Sequence, residues 1–565
     1  MNIAFKLREQ AELRPKKKAV LFPKKRSSVD KKYEYKYESL TFEELEDLSN
    51  LYGFILQKEG ITKNTKVLLF LRPSLDFTAL TFALFKIGAI PVLIDPGMGK
   101  KNLMHSISQV KPEALIAVQE VHFIKQFFSD SFKSCKIFIN SGNLQLPQTK
   151  TLNKLKEKWV DAFLKSPFFK IEKSQPEDKA AILFTSGGTG IPKGVVYTHK
   201  IFSSQLSMLQ EMFKLSHDEV DLPGFPLFSL FTIGIGMTSC IPDMNPSKPS
   251  QCDPEKLVQN ILDNKATFVA GSPAIWERVV DYCLDNNKTL PSIKYLVMFG
   301  APVSTVLHEK FEKVLSNGTT YTPYGATESL PLCQFSGKEI LQQTASLSKR
   351  GKGTCVGLPV KGISLKIIPI TEKEIPLLNQ TTILPPYEIG EIIVSGDVVT
   401  AEYYQMKEQT KKAKIIDEKG HLWHRMGDVG YLDQGGKLWF CGRKTHRVQV
   451  DLAQKGIKKK TELYSIPCEA VFNEHPEVKR TALIQTKEKG LDTASIVIER
   501  TDKKRLRGSK KHLFEKEILL IAKRFEHTSS IKKIYYHKSF PVDVRHNIKI
   551  DRIKLREVSS KKAFI

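Results

Sequence analysis

Short apolar runs punctuated by Gly and Pro recur through the first three quarters of the chain. KVLLFL (Lys66–Leu71), AIPVLID (Ala89–Asp95), ALIAV (Ala114–Val118) and KIFIN (Lys136–Asn140) lack polar alternation, which predicts strands buried on both faces. Segments of helical period lie between them, such as SLDFTALTFALFKIG (Ser74–Gly88). Strand and helix alternating in this way predicts βαβ units and a largely parallel sheet covered by helices. The pattern returns after the midpoint: TFVAG (Thr267–Gly271), a helical stretch from Pro273, YLVMFG (Tyr295–Gly300), then another helical stretch from Thr305 to Leu315. From about Gly351 the texture changes to short strands and turns, as in GISLKIIPI, GEIIVSG and GKLWFCG. The expected fold class is therefore α/β, with a large amino-terminal domain over 1–442 that holds mixed sheets of βαβ type. A β-rich subdomain occupies about 351–442 of it, and a small α+β carboxy-terminal domain over 447–565 follows a junction at 443–446.

Composition narrows the classes. The 565 residues are 41% hydrophobic and 26% charged, which excludes a collagen, a small disulfide scaffold and a wholly disordered chain. The formal charge is +26, and residues 446–565 carry 29 basic against 15 acidic side chains, more than half of that excess. Such a charge invites nucleic acid, an anionic membrane or a polyanionic ligand. The run KKRLRGSKK (Lys503–Lys511) has no interleaved aromatic residues, so it reads as a solvated loop, and no nucleic-acid partner is expected. The eight cysteines are scattered without Cys-x-x-Cys spacing and read as reduced, isolated thiols. The apolar stretch Leu227–Ile241 falls short of the ~20 residues that span a bilayer, and the amino terminus lacks a signal-peptide core. No transmembrane segment and a cytoplasmic location are expected.

The strongest chemical signal is AAILFTSGGTGIPKGVVYTHK (Ala180–Lys200). An apolar strand runs into Thr185, Ser186, Gly187, Gly188, Thr189 and Gly190, and Pro192-Lys193-Gly194 closes the loop. Glycines let backbone N–H groups approach phosphate oxygens, hydroxyls add donors, and a lysine supplies compact positive charge. This is an anion cradle but not a Walker loop, because Gly194 follows Lys193 where Ser or Thr is required.

The segment resembles the phosphate-binding signature of the adenylate-forming superfamily, which includes acyl-CoA synthetases, luciferases and peptide-synthetase adenylation domains. Gly188 replaces the commoner hydroxyl residue. Further segments resemble family motifs in order. FGAPVS (Phe299–Ser304), with Gly300, Ala301 and Pro302, is similar to the strand-turn lining the adenine pocket. YTPYGATES (Tyr321–Ser329) is similar to Y-G-x-T-E. The resemblance implies that Tyr324, next to Gly325, stacks on adenine, that Thr327 contacts phosphate and that Glu328 holds Mg²⁺. In RMGDVGYLDQGGKLWFCGRK (Arg425–Lys444) it makes Asp428 the acceptor of the ribose hydroxyls and Arg443 a nucleotide contact beside a hinge at 443–446, about which the small domain is mobile. Thr185 and Lys549 are the implied catalytic partners of Glu328. The tail SFPVDVRHNIKIDR departs from the usual P-x-T-x-x-G-K spacing, which leaves Arg552 and Lys554 as alternatives to Lys549.

Three details resemble the olefin-biosynthesis β-lactone synthetases: FPLFSLFTIGIGM, with Ser229 at the family's gate histidine, the hinge CGRKTHRVQV, and the tail FPVDVRHNIKI. That resemblance implies ATP-dependent adenylation of a long-chain 2-alkyl-3-hydroxy fatty acid, then attack of its own β-hydroxyl to close a β-lactone. Mg²⁺ and ATP are the implied cofactor and co-substrate. CoA enters only under the alternative of a fatty acyl-CoA synthetase, and a non-catalytic basic binding protein is a weaker alternative. Phe228, Ser229 and Phe231 would line an alkyl tunnel, His446 or His546 would accept the hydroxyl proton, and thiolase-like and reductase enzymes are the implied pathway partners.

Overall fold

The computed structural model describes residues 2–24, 35–166, 168–185, 191–454, 457–488, 490–502, 504, 506–542 and 550–560. Two seven-stranded sheets, each parallel but for one edge pair, form its body. The first runs in the order Lys150–Thr151, Ile137–Asn140, Ala114–Ala117, Lys66–Phe70, Ile90–Leu93, Lys179–Thr185, Lys193–Thr198. All its pairings are parallel except the last, an antiparallel hairpin that opposes Thr185 to Lys193. The second sheet runs Thr319–Tyr321, Tyr295–Met298, Phe268–Gly271, Val220–Pro223, Thr238–Cys240, Lys18–Lys24, Lys36–Thr41. Strands lie where the unalternated apolar runs predict them. The helix Leu75–Lys86 fills the predicted segment, with the Ser74 hydroxyl accepting from the Phe77 N–H at its start. Every residue of it from Phe77 onward is buried, as a helix between packed layers must be.

A continuous core that includes Leu80, Phe82, Phe202, Phe231 and Phe268 joins these two sheets. The apolar stretch from Leu227 is not one element: it breaks into a helix Ser229–Ile235 and a strand Thr238–Cys240, divided at Gly236, whose φ of +96° ends the helix. Among the described residues, no helix is long and apolar enough to cross a membrane.

An antiparallel sheet follows, in the order Tyr324–Ala326, Ser329–Gln334, Thr354–Pro359, Leu438–Arg443, Leu422–Leu432, Gly390–Ser395, Ser364–Ile368, with Lys414–Ile416 paired to Leu422–Leu432. The chain then enters a hairpin of Val448–Gln454 and Ile457–Leu463, and a three-stranded sheet of Val478–Glu488, Leu491–Arg500 and Lys533–Tyr536. Helices Ser465–Asn473 and Gly508–Arg524 pack on these through Cys468, Phe472, Phe514 and Ile518, which form a core of their own with Ile496 and Ile498. The basic run expected as a loop is helical from Gly508 onward, because Phe514, Ile518 and Ala522 bury one face four residues apart. All eight cysteines are buried free thiols.

Candidate functional site

A cleft of about 2770 Å³ opens where the carboxyl ends of both parallel sheets meet the antiparallel sheet and the carboxy-terminal segment. Parallel sheets place binding loops at those ends. Thr185 and Lys193, the last and first residues of their hairpin strands, face the cleft from the first sheet. Gly300, Ala301 and Pro302 reach it from the second sheet, Gly300 with a φ of +89° that suits only glycine at this turn. Tyr324, Gly325, Thr327, Glu328, Asp428 and Arg443 line it from the third. Ser186, Gly187, Gly188, Thr189 and Gly190, together with Lys549 and His546, lie outside the described residues.

Glu328 and Thr327 form the tip of the hairpin that pairs Ala326 with Ser329. Gly325 is required beneath them, since a Cβ there would lie 2.8 Å from the Leu330 Cβ and 2.9 Å from the Ser329 carbonyl oxygen. The tip is braced on both sides. Tyr197 donates its hydroxyl to the Thr327 carbonyl at 2.6 Å, and Thr400 donates both its N–H and its hydroxyl to the Glu328 carbonyl at 3.0 Å. The Glu328 carboxylate accepts the Tyr403 hydroxyl at 2.9 Å, and the Lys193 ammonium sits 4.7 Å over the Tyr403 ring. Burial lowers the Lys193 ammonium pKa, the Glu328 charge opposes that shift, and Arg443 adds to it. Below this layer the buried Lys414 donates to the Thr400 carbonyl. Its burial pulls the ammonium down to about 7 against the attraction of Glu328.

Asp428 stands opposite Arg443 across paired strands, with the guanidinium Nη1 at 2.9 Å from Oδ1, and accepts the Tyr324 hydroxyl at 2.7 Å on Oδ2. Asp428 in turn raises the Arg443 pKa. The Tyr324 ring lies 6.0 Å from that of Phe440. This makes an acceptor-only carboxylate flanked by an aromatic ring, a chemistry suited to a sugar diol.

Toward the interior the cleft becomes apolar. Phe228 and Phe231 line it, Phe228 packing 4.9 Å from Phe299 and Phe231 6.0 Å from Phe202. Ser229 does not join them: its hydroxyl turns back to donate to the Pro226 carbonyl at 2.6 Å, as serine in a first helical turn does. Asp221, an acid inside the strand Val220–Pro223, also borders this chamber. His446 borders the cleft near Arg552 and Arg443; burial first, then these cations, pulls its imidazole down to about 3, so it is neutral at pH 7. Arg552 is engaged elsewhere, both its terminal nitrogens bonding Glu469 at 2.5 and 2.9 Å.

A family model for AMP-binding enzymes matches residues 7–404, most of the chain. The chain belongs to that family. As an AMP-binding enzyme it is an adenylate-forming ligase, which activates a carboxylate with ATP. It is 35% identical over 522 residues to the olefin beta-lactone synthetase of Xanthomonas campestris pv. campestris, covering 92% of this chain and 90% of that protein. It is also 35% identical over 560 residues to the olefin beta-lactone synthetase of Stenotrophomonas maltophilia, covering 98% and 97%. The amide bond synthetase McbA from Marinactinospora thermotolerans shares the fold at a TM-score of 0.76 and 18% identity, covering 98% of this AMP-binding enzyme and 99% of that chain.

Sequence reasoning passed over four residues of this site. Tyr403 lies within a segment similar to the family but carries no motif letter. Thr400 and Lys414 act through contacts with Glu328 and its hairpin that sequence order conceals. Asp221 left no readable signal, because after Asp218 and Glu219 it looks like one more solvated acid.

Proposed function

We propose that this AMP-binding enzyme adenylates a long-chain 2-alkyl-3-hydroxy fatty acid and then closes it to a β-lactone. The observation that carries the reading is the 35% identity to olefin beta-lactone synthetases along nearly the whole length. The deep apolar part of the cleft agrees with an alkyl substrate.

In the first step a carboxylate oxygen attacks the α-phosphorus of ATP, the bond to the β-phosphate oxygen breaks, and pyrophosphate leaves. Lys193 and Thr185 face the phosphates from one side. Lys549, carried by the carboxy-terminal domain on a hinge at 443–446, completes the cationic surround of the α-phosphate. Asp428 accepts the ribose hydroxyls, with Tyr324 against the base. The single carboxylate of Glu328 fits a Mg²⁺ that takes its remaining oxygens from ATP and water, and no larger ligand cluster is needed. Such an ion would neutralise charge gathering on the phosphates.

In the second step the β-hydroxyl oxygen bonds to the acyl carbon, the acyl–phosphate C–O bond breaks, and AMP departs. Holding nucleophile and electrophile in one molecule offsets part of the ring strain. The hydroxyl proton leaves to solvent water, because burial beside Arg552 and Arg443 makes the His446 imidazole too weakly basic to take it. An H446Q chain should therefore release pyrophosphate and form lactone at about the native rate; a loss of about tenfold or more in lactone alone would assign the proton to His446.

Mass spectrometry of products from purified enzyme, Mg·ATP and a synthetic 2-alkyl-3-hydroxy acid tests the whole reading. A product lighter by one water, formed without CoA and matched by AMP, is the expected result. A thioester formed only with CoA would instead make the protein an acyl-CoA synthetase.

A further inference from the structure

The helix Gly508–Arg524 buries one side and leaves the other bare. Phe514, Ile518 and Ala522 enter the core of the carboxy-terminal segment. The opposite side holds Leu513, Lys516, Leu520, Lys523 and Arg524, at i, i+3, i+7, i+10 and i+11, which the helical period gathers into a single stripe. All five side chains are exposed, Leu513 by 58% and Leu520 by 49%. From there the two leucines add little to the fold, whose core lies on the other side of the helix.

Every charge on the stripe is positive. Lys516, Lys523 and Arg524 have no ion-pair partner among the described residues. The two acids of the helix are both engaged: Glu515, on the inner side, accepts the Tyr536 hydroxyl at 3.2 Å, and Glu517, at the edge of the stripe, lies 3.2 Å from His475. A second copy of the chain is an unfavourable partner, since each copy carries +26. Nucleic-acid strands are gripped by aromatic platforms and protein hot spots by Trp and Tyr, and the stripe has none of these. Leucines that reach the acyl boundary, among lysines and an arginine that meet phosphate at the headgroup level, match an anionic bilayer. The helix contributes no residue to the cleft, so the stripe is a surface separate from the site already described.

We propose that the outward stripe of helix Gly508–Arg524 docks the chain on an anionic lipid bilayer, with Leu513 and Leu520 entering the headgroup region and Lys516, Lys523 and Arg524 binding lipid phosphates. The benefit to the enzyme, a place beside the phase in which a long-chain acid dissolves, rests on the acyl-substrate reading above; the docking itself does not.

Co-sedimentation of the full chain with phosphatidylcholine vesicles, with and without phosphatidylglycerol, tests this. Binding is expected only when phosphatidylglycerol is present, and should weaken as salt is raised. K516E/K523E/R524E should bind about a hundredfold or more less strongly, and L513S/L520S about tenfold. The variant K154E/K158E/K165E changes net charge equally at exposed lysines of another helix and should keep most of the binding. Thermal unfolding midpoints should match the native chain, which shows that the variants fold; K516Q/K523Q/R524Q replaces the charge reversal if its midpoint drops. Several results would overturn the proposal. These are no binding to anionic vesicles, equal binding to neutral ones, unchanged binding by L513S/L520S, and an equal loss in K154E/K158E/K165E. Capture by immobilised polyglutamate through the same three cations, without vesicle binding, would assign the stripe to an acidic protein instead. Failure of lactone formation with vesicle binding intact would remove the proposed activity and leave the docking surface standing.

Discussion

Replacing Glu328 by Gln is expected to cut ATP–pyrophosphate exchange by about a hundredfold to a thousandfold with the fold intact. Gln has the shape of Glu and still offers an oxygen to the Tyr403 hydroxyl, so the bond that is 2.9 Å long in the structure can persist. The backbone bonds from Thr400 to residue 328 and from Tyr197 to residue 327 do not involve the side chain and are untouched. Only the charge is lost, and it is lost where Lys193 has it as a counter-charge. A carboxylate acting solely as packing would make E328Q nearly silent, and exchange at the full rate would refute the metal-holding role. Y403F separates the two contributions. It leaves the charge and removes one bond, so its loss should be about tenfold, the scale of a single hydrogen bond to a charged group. The deficit of E328Q should also shift with Mg²⁺ concentration in a way that the deficit of Y403F does not.

This network shows where legibility in the sequence ends. The motif around Tyr324–Glu328 could be recognised because its chemistry is contiguous: a glycine that tolerates close approach, a hydroxyl and a carboxylate in one turn. The parallel strands were legible for a similar reason, since burial on both faces leaves an unalternated apolar run such as Ala114–Val118. Tyr403 and Lys414 were not. Their contacts with Glu328 and Thr400 close only after the antiparallel sheet forms, and KKAK (Lys411–Ala413, then Lys414) looks like solvated charge until one ammonium proves buried. Ser229 failed differently. It was expected in the tunnel from its place in the apolar stretch, but a hydroxyl in a first helical turn satisfies itself on the carbonyl three residues back and so turns from the cleft. The glycine-rich segment after Thr185 was read as an anion cradle from its composition alone, and of its flanks the structure shows that Thr185 and Lys193 stand opposite each other in paired strands.

Asp221→Asn is expected to stabilise the protein above neutral pH and to lose that advantage as pH falls toward about 4. The carboxyl is only 1% exposed and accepts hydroxyls from Thr232 at 2.7 Å and Ser239 at 3.4 Å, both on Oδ2. Among the described residues Oδ1 has no hydrogen-bond partner. The two hydroxyls favour the ionised form, but burial outweighs them and pushes the carboxyl up to about 7. A raised folded-state pKa means that the folded chain keeps its proton where the unfolded chain has released it. Stability therefore falls as pH rises from about 4 to about 7 and is flat beyond, a penalty of about 4 kcal/mol for this group. Asn does not titrate, and its amide can donate to the same hydroxyl oxygens, so it escapes the penalty. Unfolding midpoints of both chains across this pH window should diverge with increasing pH; a constant gap would mean that Asp221 ionises at its ordinary value. Because Asp221 borders the apolar chamber, the same coupling reaches the substrate. An alkyl chain beside the carboxyl favours its protonated form further, so affinity for a long-chain acid should weaken as pH rises through 7 in the native chain and stay level in D221N. A short acid that does not reach the chamber should show no such difference.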